Sequence, residues 1–373
     1  MEGLLRSRDV SLYIHVPYCF RKCDYCAFYS SEDHRTMDAY MDVLLRQIHA
    51  VTEDVGKPFH TIFIGGGNPG ILGTDRLLEI ATAATVKGRP LEFTCELNPE
   101  SVSADTERLT SFVDRISIGV QSFSNGVLKT LGRNAGSSSS IRALGILSDL
   151  KKRKGIRVNG DLITSVPGHT ADETLADIEK LHGFGADHIS LYSLSVEEGT
   201  PLAGRTRPMD EESDRECLVR SWELLKKLGY EHYEVSNFAL PSCRSLHDSV
   251  YWHLVQYIGL GPTAESSLGW DKCISLRQKE SVEEYIENPS FDAYALSQEE
   301  LGEEYLLTNL RTKDGINRKE YEMRFAESFD DRFGSFISDL DPSWYIDTAE
   351  GFSLTEEGFL VLDSIILKLA MAI

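Results

Sequence analysis

The stretch YIHVPYCFRKCDYCAFYS, residues 13–30, places Cys19, Cys23 and Cys26 in a turn-rich loop directly after the strand-like run SLYIHV. Thiolates hold soft metals, and C-x3-C-x2-C spacing lets a loop wrap three sulfurs around one face of an iron–sulfur cluster. A structural zinc site is the alternative, but it normally closes on four ligands. No fourth Cys or His stands at the usual spacing, and His34 lies eight residues beyond Cys26. With three ligands on a four-iron cube, one iron keeps an open position for a substrate or cofactor.

Outward from this loop, strand-like and helix-like runs alternate. SLYIHV, TIFIGGG, LEFTCEL (91–97), RISIGVQ (115–121), IRVNGDLI (156–163) and HISLYSL (188–194) read as strands. Helical spacing appears in HRTMDAYMDVLLRQIHAV and TDRLLEIATAATV, from about Ser103, from about Ala171, and from Glu211 to Leu228. Six such βα units predict an α/β fold, a parallel partial (β/α)6 barrel over residues 1–235 with helices outside. In such barrels chemistry sits at the C-terminal ends of the strands. The cysteine loop, Gly65-Gly66-Gly67, Glu96, Gln121, Asp161 and the YSLS turn all fall there. Residues 236–300 read as a connecting segment, with NFALPSC and GLGPTAESSLG as loops, and 301–373 as a small, mainly helical, winged-helix-like unit with a strand or turn at FSLT.

Composition narrows the partners. The chain has 373 residues, 41% of them apolar and 26% charged, as in ordinary globular proteins. Its net charge of −21 repels phosphate backbones and anionic lipid heads, which argues against a broad nucleic-acid or membrane face. No run of eighteen apolar residues occurs, and MEGLLRSRDVSLYIHV lacks the apolar core and small-residue cleavage site of a leader; a cytoplasmic address without an integral membrane segment is expected. Cys95, Cys217, Cys243 and Cys273 stand apart and read as reduced thiols.

The loop's spacing, with Tyr25 just before its last cysteine, resembles the radical SAM signature. In that superfamily the open iron of a 4Fe-4S cluster chelates S-adenosylmethionine, and one electron cleaves it to methionine and a 5'-deoxyadenosyl radical. Nearly the whole chain, through IFIGGGNPGIL, ELNPES, RISIGVQSFSNGVLKTLGR, DLITSVPGHT, YSLSVEEGTPL, YEVSNFA, YWHLVQYIGLGP and LLTNLRTKDGI, is similar to the oxygen-independent coproporphyrinogen III oxidase group. Oxidases of that group carry an N-terminal arm and a fourth cysteine two residues after the third. Here Cys19 comes almost at once, and Phe28 occupies that place. The match is closer to the group's haem chaperones, which bind haem and pass it to apoproteins. Turnover is left open, with decarboxylation of coproporphyrinogen propionates as the alternative activity.

That resemblance implies a site. The stretch Gly66, Gly67, Asn68 would meet the methionine amino group, although the family usually has Thr at the place of Asn68. Residues matching Glu96, Gln121, Arg133 and Asp161 contact the cofactor, while Tyr13 and the backbone of Tyr25 would flank cluster and adenine. Taken alone, such glycines mark a tight turn and Glu96 could cap a helix. HDSVYW, residues 247–252, resembles the chaperones' H-N-x-x-Y-W motif, with Asp248 replacing Asn. His247 would then be an axial ligand for haem, with Tyr251 and Trp252 packing the macrocycle. A loop histidine in an aromatic corner is the plainer reading. Glu265, Thr263 and Ala135 depart from the relatives' usual His, Gly and His, and Cys243 is a nearby alternative thiolate. An electron donor and a haem-accepting apoprotein are implied partners, and a dimer is left open.

Overall fold

The computed structural model describes residues 9–269 and 273–371. Six strands, β1 (Ser11–Val16), β2 (Thr61–Gly66), β3 (Glu92–Leu97), β4 (Arg115–Gln121), β5 (Arg157–Thr164) and β6 (His188–Ser193), pair in parallel and in chain order. Between and after them run α1 (Met37–Val55), α2 (Gly73–Ala84), α3 (Asn125–Thr130), α4 (Ser137–Lys154), α5 (Ala171–Gly183) and α6 (Glu211–Lys227). The expected helix near Ser103 is a 3-10 segment, Ala104–Ser111, capped by the Ser103 side chain. Alternation explains the layering. On β1, Leu12, Ile14 and Val16 are fully buried and join the core with Met41, Leu44 and Ile48 of α1, which recur at helical spacing. Ser11, Tyr13 and His15 face the other way. The same period of two places Glu92, Thr94 and Glu96 on β3, Arg115, Ser117 and Gln121 on β4, and Arg157, Asn159 and Asp161 on β5 toward the concave side. Its curvature brings Tyr13 of β1, Glu96 of β3 and Asp161 of β5 within electrostatic reach of one another.

The barrel does not close. Past β6 the sheet continues antiparallel through β8 (Asn237–Ala239) to β7 (Glu231–His232). Beyond β1 it runs through parallel β9 (Tyr257–Leu260), then β10 (Glu265–Leu268), β11 (Ile274–Arg277) and β12 (Asp292–Ala295), giving twelve strands. Residues 236–300 therefore extend the sheet, and NFALPSC and GLGPTAESSLG, read as loops, contain β8 and β10. These strands are three or four residues long, too short for an apolar alternation to announce them.

Helix α7 (Leu246–Trp252) carries HDSVYW to the opposite end of the barrel from the cysteine loop. Thr61 and Glu92, the first residues of β2 and β3, hold it: Thr61 Oγ1 lies 2.7 Å from His247 Nδ1, and Glu92 Oε1 accepts the Leu246 and His247 amides at 3.1 Å. C-terminal helices surround a three-stranded antiparallel sheet, β13 (Ile316–Asn317), β15 (Gly351–Leu354) and β14 (Tyr345–Asp347), on an aromatic core of Tyr305, Tyr321, Phe329, Phe333 and Phe352. The FSLT strand is part of it. Among the described residues no helix is long and apolar enough to cross a membrane.

Candidate metal centre and cofactor site

The cysteine loop leaves the C-terminal end of β1 and is pinned on several sides. Its neck closes through Cys19 N–H to Ser31 O (3.0 Å) and Ser31 N–H to Pro17 O (2.6 Å). Cys26 N–H turns back on Cys23 O at 3.2 Å, Asp24 N–H bonds Leu131 O, and Leu202 N–H bonds Asp24 O. His34 Nε2 donates to Cys19 O at 2.9 Å. All three cysteines are half-buried, and burial raises the Cys19 thiol to about 11 and the Cys26 thiol as well. A metal opposes that shift by binding the thiolate form. Three thiolates on one loop are the donor set of an iron–sulfur cluster, in which each thiolate takes its own iron. The donor set and the pinned loop fit a cluster.

Around the loop the strand ends form a bare cradle. A Cβ on Gly67 would lie 2.5 Å from Tyr18 O and 3.0 Å from Cys19 Sγ, so only glycine lets β2 run against the cysteine loop. Gly66 N–H donates to Glu96 Oε2 at 3.2 Å. Asn68 is fully buried, its backbone N–H on Tyr18 O and its amide donating to Ser101 Oγ at 3.1 Å. The Asn68 side chain thus ties two strand-end turns together, and it approaches the site by its backbone. Glu96 is pushed up to about 8, first by burial and then by Asp161. Asp161, raised by burial, takes hydrogen bonds from Asn159 Nδ2 (2.7 Å) and Ser117 Oγ (3.3 Å).

A register shift at the end of β4 sets Gln121 at φ 64°, in the left-handed region. Its amide nitrogen lies beside the bare face of Gly119, next to Asn98 Oδ1 and Arg133 Nη2. Arg133 reaches across the mouth, donating to Gly119 O (2.8 Å), Asn98 Oδ1 (3.3 Å) and Cys23 Sγ (3.5 Å). Tyr13, its hydroxyl raised by burial, lies 3.0 Å from His15 Nδ1. Tyr25 packs against Val127, Leu131 and Val166, and burial raises its hydroxyl. The strand-end residues singled out from sequence are thus gathered around one mouth.

His247 lies elsewhere. It is fully buried at the barrel floor, stacked on Phe63 (5.0 Å), with Nδ1 on Thr61 and Nε2 2.9 Å from the Tyr251 hydroxyl; burial depresses it to about 3. As placed, neither ring nitrogen is free for an iron, and ligation would require Tyr251 to release Nε2. Sequence reasoning missed His15, Asn98, Ser117, Asn159 and Arg115. Arg115 is fully buried, and its Nε has no hydrogen-bond partner among the described residues. The signal was present: polar residues at alternate positions in strands otherwise made of Ile, Val, Leu and Phe.

A family model described as the radical SAM superfamily matches residues 13–181. "Heme chaperone HemW" of Lactococcus lactis is 30% identical over 365 residues, covering 94% of each chain. The Escherichia coli protein of that name is 34% identical over 267 residues, 69% of this chain and 70% of its own. The solved structure of coproporphyrinogen III oxidase (HemN) from Escherichia coli, a radical SAM enzyme, superposes with a TM-score of 0.81 over 100% of this chain and 93% of that one. At 18% identity, that likeness establishes the fold.

Proposed function

The chain belongs to the radical SAM superfamily and, within it, to the family of the heme chaperone HemW proteins, and from that premise we propose that it carries haem to an apoprotein. Cys19, Cys23 and Cys26 would hold a 4Fe-4S cluster. Gly66, Gly67, Glu96, Gln121, Arg133 and Asp161 would hold S-adenosylmethionine. When bound, the cluster supplies one electron and the sulfonium compound an organic radical. The protein's own contribution is positioning: Arg133 sets a fixed positive charge against Cys23, Glu96 is fastened to the Gly66 amide, and the glycines keep side chains out of the mouth.

The observation that carries this reading is that identity to a haem chaperone spans 94% of the chain, the C-terminal unit included. A one-electron donor would complete the system, and a compartment that keeps thiols reduced, such as the cytoplasm, suits its seven unpaired cysteines. Iron and sulfide content with electron paramagnetic resonance, recorded with and without S-adenosylmethionine, tests the centre; zinc, or a signal indifferent to the compound, would sink it. Hemin titration tests the cargo through a stable Soret-shifted complex. Vinyl product from coproporphyrinogen in an anaerobic assay would replace the carrier by an oxidase.

A further inference from the structure

Strand β12 ends one side of the twelve-stranded sheet, and all four of its residues are exposed, Tyr294 at 47%. Its hydrogen-bond phase follows from the register. Gln278 N–H donates to Ala264 O, so the even-numbered residues of β11 bond β10, and Ser275 and Arg277 are left to bond Tyr294 and Asp292 opposite them. Leu296 N–H on Cys273 O continues the same alternation. The N–H and C=O of Ala293 and Ala295 therefore point to the open edge, where among the described residues no hydrogen-bond partner meets them. Edges are commonly blunted with Lys, Pro or a bulge; β12 has none of these, and the methyl groups of Ala293 and Ala295 let another backbone come close.

The surroundings select the occupant. Residues 280–304, which hold β12 between α8 (Val282–Glu287) and α9 (Gln298–Asn309), carry nine Asp or Glu and no Lys or Arg. Arg277 and Lys279 are already paired, with Glu265 at 2.6 Å and Asp292 at 2.8 Å. Among the described residues neither Glu287 nor Glu299, on the two sides of the strand in sequence, has a cation within ion-pair distance. A second copy of the chain would bring one acidic edge against another, whereas a strand bearing Lys or Arg is attracted from both ends. We propose that β12 is a docking edge for an extended, Lys- or Arg-bearing segment of a partner polypeptide, which adds as a further strand through Ala293 and Ala295 while its cations meet the flanking carboxylates. Main-chain pairing supplies affinity, and the acidic flanks supply selection and a dependence on salt. Docking here is independent of the haem-carrying reading.

The experiment titrates the full-length protein with a blocked peptide of about six alternating Lys and Val residues, long enough at about 3.3 Å per residue to span the strand and reach its flanks. A Glu and Val counterpart serves as the comparison, and amide hydrogen exchange is followed residue by residue. Wild type is expected to bind the basic peptide about tenfold or more tightly than the acidic one, with exchange slowed at Ala293 and Ala295 but not at Tyr294, whose N–H already faces β11. Ala293→Pro removes an N–H that the sheet does not use, so it should leave melting temperature and iron content unchanged and cut basic-peptide affinity about tenfold or more; Glu287→Gln with Glu299→Gln should weaken it severalfold. Protection that spares Ala293 and Ala295 overturns the proposal, whether or not the proline variant folds. So does equal affinity for the two peptides, or an Ala293→Pro protein that binds as wild type does. Protection of the same two amides on raising protein concentration alone would put a second copy on the edge and refute the proposal as well.

Discussion

Replacing Gly67 by Ala should separate folding from cluster assembly. The new methyl would sit 2.5 Å from Tyr18 O, about 0.9 Å inside the 3.4 Å at which ordinary contact begins, and 3.0 Å from Cys19 Sγ. Relief cannot come from a side chain swinging away, because the obstacle is backbone. Tyr18 O already accepts the Asn68 amide at 2.8 Å, and Gly67 N–H is held by Val16 O at 2.8 Å, so retreat of the Tyr18 carbonyl strains both bonds and drags Cys19 with it. Overpacking of this kind costs about 1–3 kcal/mol, a tolerable loss for a chain with this much core. Displacement of a cluster ligand by most of an ångström is not tolerable in the same way. Gly67→Ala is therefore expected to fold, to melt a few degrees lower, and to retain well under half the wild-type iron and sulfide after anaerobic reconstitution. Gly145→Ala in α4, where a methyl meets nothing within 4 Å, is the control and should gain about 0.5–1 kcal/mol with iron content unchanged. A full iron complement with an unshifted resonance in Gly67→Ala would refute the claim that β2 sets the position of Cys19.

Glu96 is raised from its ordinary value to about 8 in the folded chain, so the native state holds a proton that the unfolded state releases above about 4.5; apoprotein stability should fall as pH rises between those values. Glu96→Gln should flatten that decline, which pH-dependent urea melts would register. His247, depressed to about 3, has the opposite sign: its contribution is present above the unfolded value near 6.5 and is lost as pH falls toward 3. His247→Ala loses two hydrogen bonds and the Phe63 stack, a cost of about 2–4 kcal/mol, while hemin affinity should move less than twofold; loss of the Soret complex at equal folded fraction would place this imidazole on the iron. Arg133→Lys keeps the charge but not the fork that reaches Gly119 O, Asn98 and Cys23 together, so cofactor affinity by calorimetry should drop about tenfold with iron retained.

The parallel barrel was legible because its strands advertise themselves locally. LEFTCEL and RISIGVQ alternate apolar with polar or small residues, and β3 and β4 begin within one residue of the expected starts. The cysteine loop was legible for a stronger reason, since three ligands at fixed spacing state their chemistry without the fold. What escaped was decided by tertiary structure. Strands β9–β12 take their stability from the edge of β1 rather than from their own four-residue sequences. HDSVYW reads the same whether its helix covers the mouth or plugs the floor; contacts to Thr61 and Glu92, more than 150 residues upstream, decide that. Asn68 looked like a ligand because it follows the glycines, yet its amide is bound to Ser101, a partner that sequence distance hides.

The two ends of the barrel are joined by charge. Glu96 and Asp161 near the mouth, Asp248 on the floor helix and Glu234 at its side are all raised first by burial, and Asp248 adds to the shift of both Glu96 and Glu234. Arg115, buried among them, works against the shift but does not cancel it, since Glu96 still stands at about 8. A cavity that has gathered carboxylates at a cost in desolvation lowers its energy when a cation enters, and S-adenosylmethionine brings both a sulfonium and an ammonium group. Its arrival at the mouth would favour the ionised form of Glu96 and so release a proton. Asp248 adds to the raised value of Glu96 from the far end of the barrel.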